Sequence, residues 1–219
     1  HLACMAAIIE PGDEVIVPAY TFVATANCVL YCGGRPVIAD INEATLSIDL
    51  DQVKKKITKK TKAVIAVDFG GRAAEWSELR QIAKQHSLLL IDDAAHSLGT
   101  SYKGKKVGTQ ADLTCFSFHP VKTITTGEGV MVLTNNKKFY DRVMRLRTHG
   151  IIKLPKPKPW YYEMQELGYN YRLTDLQSAL GWGQLKRAEG FLSKRRRLAK
   201  RYLSKLRSLR LVKLPVAAP

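Results

Sequence analysis

The sequence predicts an α/β fold: a mainly parallel sheet with helices on both faces, in three layers. Strand-like and helix-like segments alternate from Glu14 to Leu133, the pattern of a sheet wound by crossover helices. Ala63 to Phe69 is a largely apolar run, as a strand covered on both sides requires. Polar residues able to act on a ligand cluster at the predicted carboxyl ends of strands, where open α/β sheets bind their ligands.

The elements follow in chain order. His1 to Ala7 reads as the middle of a helix, and the chain closes on Pro215-Val216-Ala217-Ala218-Pro219, so a piece of a longer protein is expected. Glu14 to Val17 is a short strand ended by Pro18, which has no amide hydrogen to donate. Thr21 to Tyr31 fits a helix stopped by Gly33-Gly34. Pro36 to Ile41 is the next strand, and Asp49 opens a helix through Ile57 with its acid at the positive end of the dipole. Glu75 to His86 carries Leu79, Ile82 and Ala83 at helical spacing. Leu88 to Ile91, Thr114 to Phe118 and Val130 to Leu133 complete the strands.

Beyond Gly150 the character changes. Lys153 to Pro159 is basic and proline-rich, and is expected to be extended and exposed. Thr174 caps a helix beginning near Asp175. A long charged helix is expected from about Gly183 to Leu206, with Leu185, Ala188, Leu192, Leu198 and Tyr202 on or near one face.

Composition narrows the function classes. The chain is 46% hydrophobic and 25% charged, ordinary for a globular protein, and its apolar runs are strand-length, which predicts no membrane span. Cys4, Cys28, Cys32 and Cys115 show no CxxC spacing and no histidines at metal-ligand distances, so no metal site is expected. Cys28 and Cys32, one helical turn apart, read as buried free thiols, which implies a reducing cytoplasm. The net charge of +16 raises the rival class, a non-catalytic basic protein binding nucleic acid or acting as a cofactor-binding regulator. The charge is dispersed, however, over Lys54 to Lys56, Lys59-Lys60, Lys103 to Lys106 and Lys194 to Arg197, with no zinc-finger or RNP pattern. It reads as a solvated face, with no nucleic-acid partner.

The Leu88–Ile91 strand runs into Asp92-Asp93-Ala94-Ala95-His96, and a later strand delivers Ser117 to the run Phe118-His119-Pro120-Val121-Lys122. Thr125-Thr126-Gly127-Glu128-Gly129 follows. A carboxylate at a strand end, then a hydroxyl and a lysine on a glycine-rich turn, is a way to hold pyridoxal 5'-phosphate (PLP). The lysine bonds the aldehyde, the carboxylate keeps the pyridine nitrogen protonated, and hydroxyls with free N–H groups take the phosphate. Singly, each residue has a plainer reading: Lys122 a surface charge, Asp93 a strand cap or ion-pair partner, Ser117 a backbone bond, His96 a core histidine. Their convergence favours the cofactor site. His119 is given no chemistry.

Pro11 to Pro18, Tyr20 to Asn27, Asp93 to His96, Ser117 to Lys122 and Gly127-Glu128-Gly129 together resemble the DegT/DnrJ/EryC1/StrS family of sugar aminotransferases. The resemblance runs over nearly the whole chain. It implies the fold type I architecture of PLP-dependent transferases, and a homodimer with shared active sites. It implies Lys122 as the cofactor lysine, Asp93 at the pyridine nitrogen, His96 at the phenolic oxygen, Phe22 stacked on the ring and Ser117 on the phosphate. Asn170 would reach the phosphate in the neighbouring subunit, with Arg172 near the substrate there. Residues 1–150 would be the large PLP-binding domain without its N-terminal part, and 151–219 an interface loop, helices and the start of a small C-terminal domain. The family's Gly-Thr phosphate step would precede His1, and Val130 stands where a second glycine is common, a change expected to stiffen the turn.

Within the family, Phe118 to Gly129 and Leu167 to Asp175 look most like the pseudaminic acid branch. That branch moves an amino group from L-glutamate to C4 of a UDP-linked 4-keto-6-deoxy sugar. Enzymes acting on the UDP-4-keto-pentose of lipid A, or on dTDP-keto sugars, share much of the same wording.

Overall fold

The computed structural model describes residues 1–153 and 160–214. Six strands form one sheet in the order β2-β1-β3-β4-β7-β8. They are β1 (Glu14–Pro18), β2 (Arg35–Ala39), β3 (Thr61–Val67), β4 (Leu89–Asp93), β7 (Leu113–Ser117) and β8 (Val130–Leu133). All neighbours run parallel except β8, which pairs antiparallel with β7. Helices α3 (Leu50–Lys56) and α4 (Trp76–His86) cover one face, where Ile16, Val64, Leu90 and Phe116 pack with Val53, Trp76 and Leu79. Helices α1 (Leu2–Ala6), α2 (Ala24–Tyr31) and α5 (Lys137–Leu146) cover the other, over Val15, Val17, Ile65, Ile91 and Leu113. The expected three layers are therefore present.

Several boundaries move for identifiable reasons. Helix α2 starts at Ala24 rather than Thr21, because Thr21 lies in the preceding turn with its hydroxyl 2.7 Å from that of Thr25. Strand β3 stops at Val67: the Asp68 carboxylate accepts from Ala74 N (2.9 Å) and Trp76 Nε1 (3.2 Å) and turns the chain off the sheet. A 3-10 turn, Phe69–Gly71, follows, with Gly70 and Gly71 at φ 61° and 87°, where a side chain would be strained. Strand β4 runs on to Asp93, so both aspartates are strand residues, paired with Ala66 and Val67.

Helix α5 is absent from the sequence reading. Asn136 caps it by accepting from Lys138 N at 2.9 Å. Phe139, Val143 and Leu146 lie on its inner face, the i, i+4, i+7 spacing that marks such a helix. Two short hairpins also escape that reading: β5 (Ser101–Tyr102) with β6 (Lys105–Lys106), and β9 (Ile151–Lys153) with β10 (Tyr162–Met164).

The long C-terminal helix is broken at Lys186-Arg187, not at Gly183. It forms α6 (Asp175–Leu185), with a capping box between Thr174 and Gln177, and α7 (Ala188–Leu206). Arg187, at φ −102° and ψ −2°, is the N-cap of α7, and the buried Ala188 opens that helix. Leu198 and Tyr202 face solvent instead of continuing the apolar stripe. The proline-rich run 154–159 lies outside the described residues. All four cysteines are free thiols, Cys4 buried and the other three half-buried, so Cys28 and Cys32 are less covered than expected. Among the described residues no helix is long and apolar enough to cross a membrane.

Candidate active site

Successive strand residues point to opposite faces, and this separates the two aspartates of β4. The half-buried Asp93 accepts from Thr25 Oγ1 on Oδ2 (2.6 Å) and from Ala95 N on Oδ1 (3.2 Å). Two donors thus hold its carboxylate at the carboxyl end of an interior strand, on the α2 face.

Asp92 faces the α4 side and is 0% exposed, beside the equally buried Asp68 and Thr114. Among the described residues neither of its oxygens has a hydrogen-bond partner; Thr114, its neighbour across the β4–β7 register, makes none of good geometry. Burial first, then the charges of Asp68 and Asp93, push its pKa well above the carboxylate range. Burial likewise pushes Asp68 up to about 6, against its bonds from Ala74 and Trp76. Asp92 is thereby held as the neutral acid.

Asp92 makes stability depend on pH. An unfolded aspartate ionises near about pH 3.9, whereas native Asp92 keeps its proton to higher pH, so wild-type stability falls as pH rises between the two values. Asp92→Asn removes that loss. Urea denaturation at pH 4.5 and 7.5 should show the variant gaining on wild type as pH rises, by up to about 1.4 kcal/mol per pH unit of the window. A difference that shrinks with pH would mean that Asp92 is ionised and paired.

The loop after β4 carries His96. It is pinned by Ala94 N to Cys115 O (3.0 Å) and by Thr100 Oγ1 to Gly71 O (2.8 Å). His96 Nδ1 accepts from Gly70 N at 3.3 Å, which leaves the proton of the neutral ring on Nε2. Burial, and then the nearby Lys122 charge, lower its pKa, with Asp93 opposing.

The lysine loop is closed by its own backbone. Phe118 N donates to Gly129 O (2.8 Å) and Thr126 N to Phe118 O (3.0 Å), while Ile124 is buried beneath. Gly127 adopts φ 82°, and at Gly129 a Cβ would collide with Thr126 Oγ1, so both glycines are required. Val130 lies outside this turn: it opens β8 opposite Ser117, where a β-branched residue suits the strand. Ser117 is half-buried at the end of β7, and its Oγ accepts from His119 N at 3.3 Å. His119 braces the loop through Val121 N (3.3 Å) and lies 3.8 Å from Glu128. Among the described residues no hydrogen bond or ion pair engages the half-buried Lys122 amine, and none links Asn170 or Arg172 to this cluster.

The structure therefore brings Asp93, His96, Ser117 and Lys122 to one end of the sheet. Phe22, 75% exposed, stands in the turn that leads to Thr25. Asn170 and Arg172 are exposed on the segment after β10, where Asn170 bridges to Thr148, Tyr171 N donates to Arg147 O (3.0 Å) and the next residue, Leu173, packs against Gly129. Sequence reasoning gave no role to Thr25, although a hydroxyl one helical turn from Thr21 was the available signal. Nor did it give one to Gln177, which donates to Glu128 O at 3.1 Å.

The profile of the DegT/DnrJ/EryC1/StrS aminotransferase family matches residues 1–218. GDP-perosamine synthase of Vibrio cholerae is 43% identical over 209 residues, 95% of this chain and 56% of that protein. The UDP-4-amino-4,6-dideoxy-N-acetyl-beta-L-altrosamine transaminase of Campylobacter jejuni is 44% identical over 205 residues, 92% of this chain and 53% of that one. Among solved structures, Helicobacter pylori PseC, an aminotransferase of pseudaminic acid biosynthesis, superposes with a TM-score of 0.88 at 35% identity, over 95% of this chain and 56% of that one. The chain spans about half the length of these relatives.

Proposed function

The chain belongs to the DegT/DnrJ/EryC1/StrS aminotransferase family, and on that premise we propose that it serves PLP-dependent transfer of an amino group to a nucleotide-linked keto sugar. One observation carries the reading: the paired ends of β4 and β7 bring a carboxylate fixed by two donors, His96, Ser117 and the Lys122 loop together at one end of the sheet. The residues suit the cofactor's chemistry, a cationic ring nitrogen for Asp93, an aldehyde for Lys122, and a phosphate for the Ser117 hydroxyl. When bound, PLP supplies the aldehyde and a ring that takes up an electron pair.

In this reading Lys122 would hold the cofactor covalently, and its amine would serve as the group that holds and moves a proton. Asp93, locked by Thr25 and Ala95, keeps the ring nitrogen protonated. The His96 Nε2–H meets the phenolic oxygen, and Phe22 covers the ring. The exposure of Asn170 and Arg172, with no bond to their own cluster among the described residues, supports their serving the site of a second copy, in a homodimer with shared sites. Residues 1–150 act as the large domain and 151–219 as the link to the small one, in the cytoplasm.

The proposed donor is L-glutamate and the acceptor a UDP-linked 4-keto-6-deoxy sugar aminated at C4. The relatives' names carry both GDP and UDP, so the nucleotide is the point to test. A protein of the relatives' length carrying this chain, assayed with glutamate against UDP-, GDP- and dTDP-linked 4-keto sugars, should favour the UDP-4-keto-6-deoxy-N-acetylhexosamine. A clear preference for the GDP or dTDP sugar, or for the UDP-4-keto-pentose, would replace that acceptor. The 219 residues alone should bind PLP weakly and show no transamination; robust glutamate-dependent amination by them would mean a smaller catalytic unit.

A further inference from the structure

Helix α7 is mostly exposed, yet its first half reaches both loops at the strand ends. Leu192 packs on Gly99, which adopts φ 84° and where a Cβ would collide with Leu192 Cδ1. Arg196 Nη2 donates to Gly99 O at 3.2 Å, an oxygen that also receives Lys106 Nζ at 3.3 Å. One residue earlier, Arg195 Nη2 lies 3.5 Å from Lys122 O. Gly99 belongs to the loop of His96, and Lys122 to the next loop.

Consecutive helical residues diverge by about 100°, so adjacent arginines on one helix can address two different loops. A guanidinium offers charged, planar donors to main-chain carbonyls. Helix α6 joins in: Gln177 bonds Glu128 O, and Gly181 lies so close to Thr126 that a Cβ would come within 2.8 Å of its Cγ2. Neither arginine has an acidic partner among the described residues. Their visible engagement is with these two carbonyls.

We propose that Arg195 and Arg196 are positioning residues, by which α7 holds the Lys122 loop and the His96 loop in a fixed relation to one another. The inference rests on Lys122 being the cofactor lysine, as proposed above. Loosening either arginine lets the amine and the imidazole drift apart without unfolding the sheet, whose core lies elsewhere.

The test uses the full-length protein with Arg195→Leu/Arg196→Leu, and with Arg196→Lys as the conservative variant. The cofactor-free double variant should melt within about 2 °C of wild type, as for exposed substitutions. Its affinity for PLP and its turnover should each fall by roughly tenfold or more, the scale of a misplaced reacting group. The pH midpoint of the bound cofactor's visible band should also shift, and Arg196→Lys should lie between wild type and Arg196→Leu. An unmoved midpoint with unchanged affinity overturns the proposal. So does a lower cofactor-free melting point with an unmoved midpoint, which marks a packing role. Lys122→Ala, measured in parallel, separates the two levels: if it keeps the covalent band, the reading of Lys122 itself fails, whatever α7 does.

Discussion

Lys122→Ala is expected to abolish turnover and the visible absorbance of covalently held PLP, and to leave the fold intact. The lysine is half-buried on a loop closed by backbone bonds between Phe118, Thr126 and Gly129. Its own amine makes no hydrogen bond among the described residues, so alanine removes no visible support. What is lost is chemical: the group that takes the cofactor and the group that carries the proton. General acid–base catalysis alone is worth about 10² to 10⁴ in rate, and the covalent role adds to that. PLP should still associate through its phosphate. Absorbance spectra and a single-turnover assay with glutamate check this, and activity within tenfold of wild type contradicts it.

Asp93→Asn should cost turnover several orders of magnitude, in line with the several kcal/mol of a preorganised charge in a dry site. The fold should survive, because the amide oxygen can still accept from Thr25 Oγ1 or from Ala95 N, as Asp93 does. Asp92→Asn is the internal control. That residue lies on the opposite face with Asp68 and Thr114, already neutral, so its amide should leave turnover near wild type. Loss of activity in Asp92→Asn with retention in Asp93→Asn would reverse the assignment of the two carboxylates.

The strand ends were legible because alternation and apolar runs are local signals, and the predicted ligand groups fell at those ends. The family resemblance favours Asp93 over Asp92; what the register adds is that the two lie on opposite faces, since strand β4 runs two residues past the Ile91 boundary expected from its apolar run. Thr25 was illegible as Asp93's partner because 68 residues separate them, and no periodicity reports a contact of that kind. Helix α5 was readable from Asn136 and its Phe139–Val143–Leu146 stripe, but lysines and arginines between them masked the pattern. The turn at Lys186-Arg187 between α6 and α7 has no breaker residue, so helix propensity does not mark it. The bonds of Arg195 and Arg196 join elements far apart in sequence, so a basic run that reads as a solvated face also holds two loops.

The central claim is that the carboxylate–histidine–lysine cluster at the carboxyl ends of β4 and β7 is a PLP site built on Lys122. Borohydride makes a lysine–PLP link permanent. Peptide mass mapping of the PLP-loaded, reduced full-length protein should place the phosphopyridoxyl label on Lys122. Label on any other lysine, or none with PLP bound, would contradict the account.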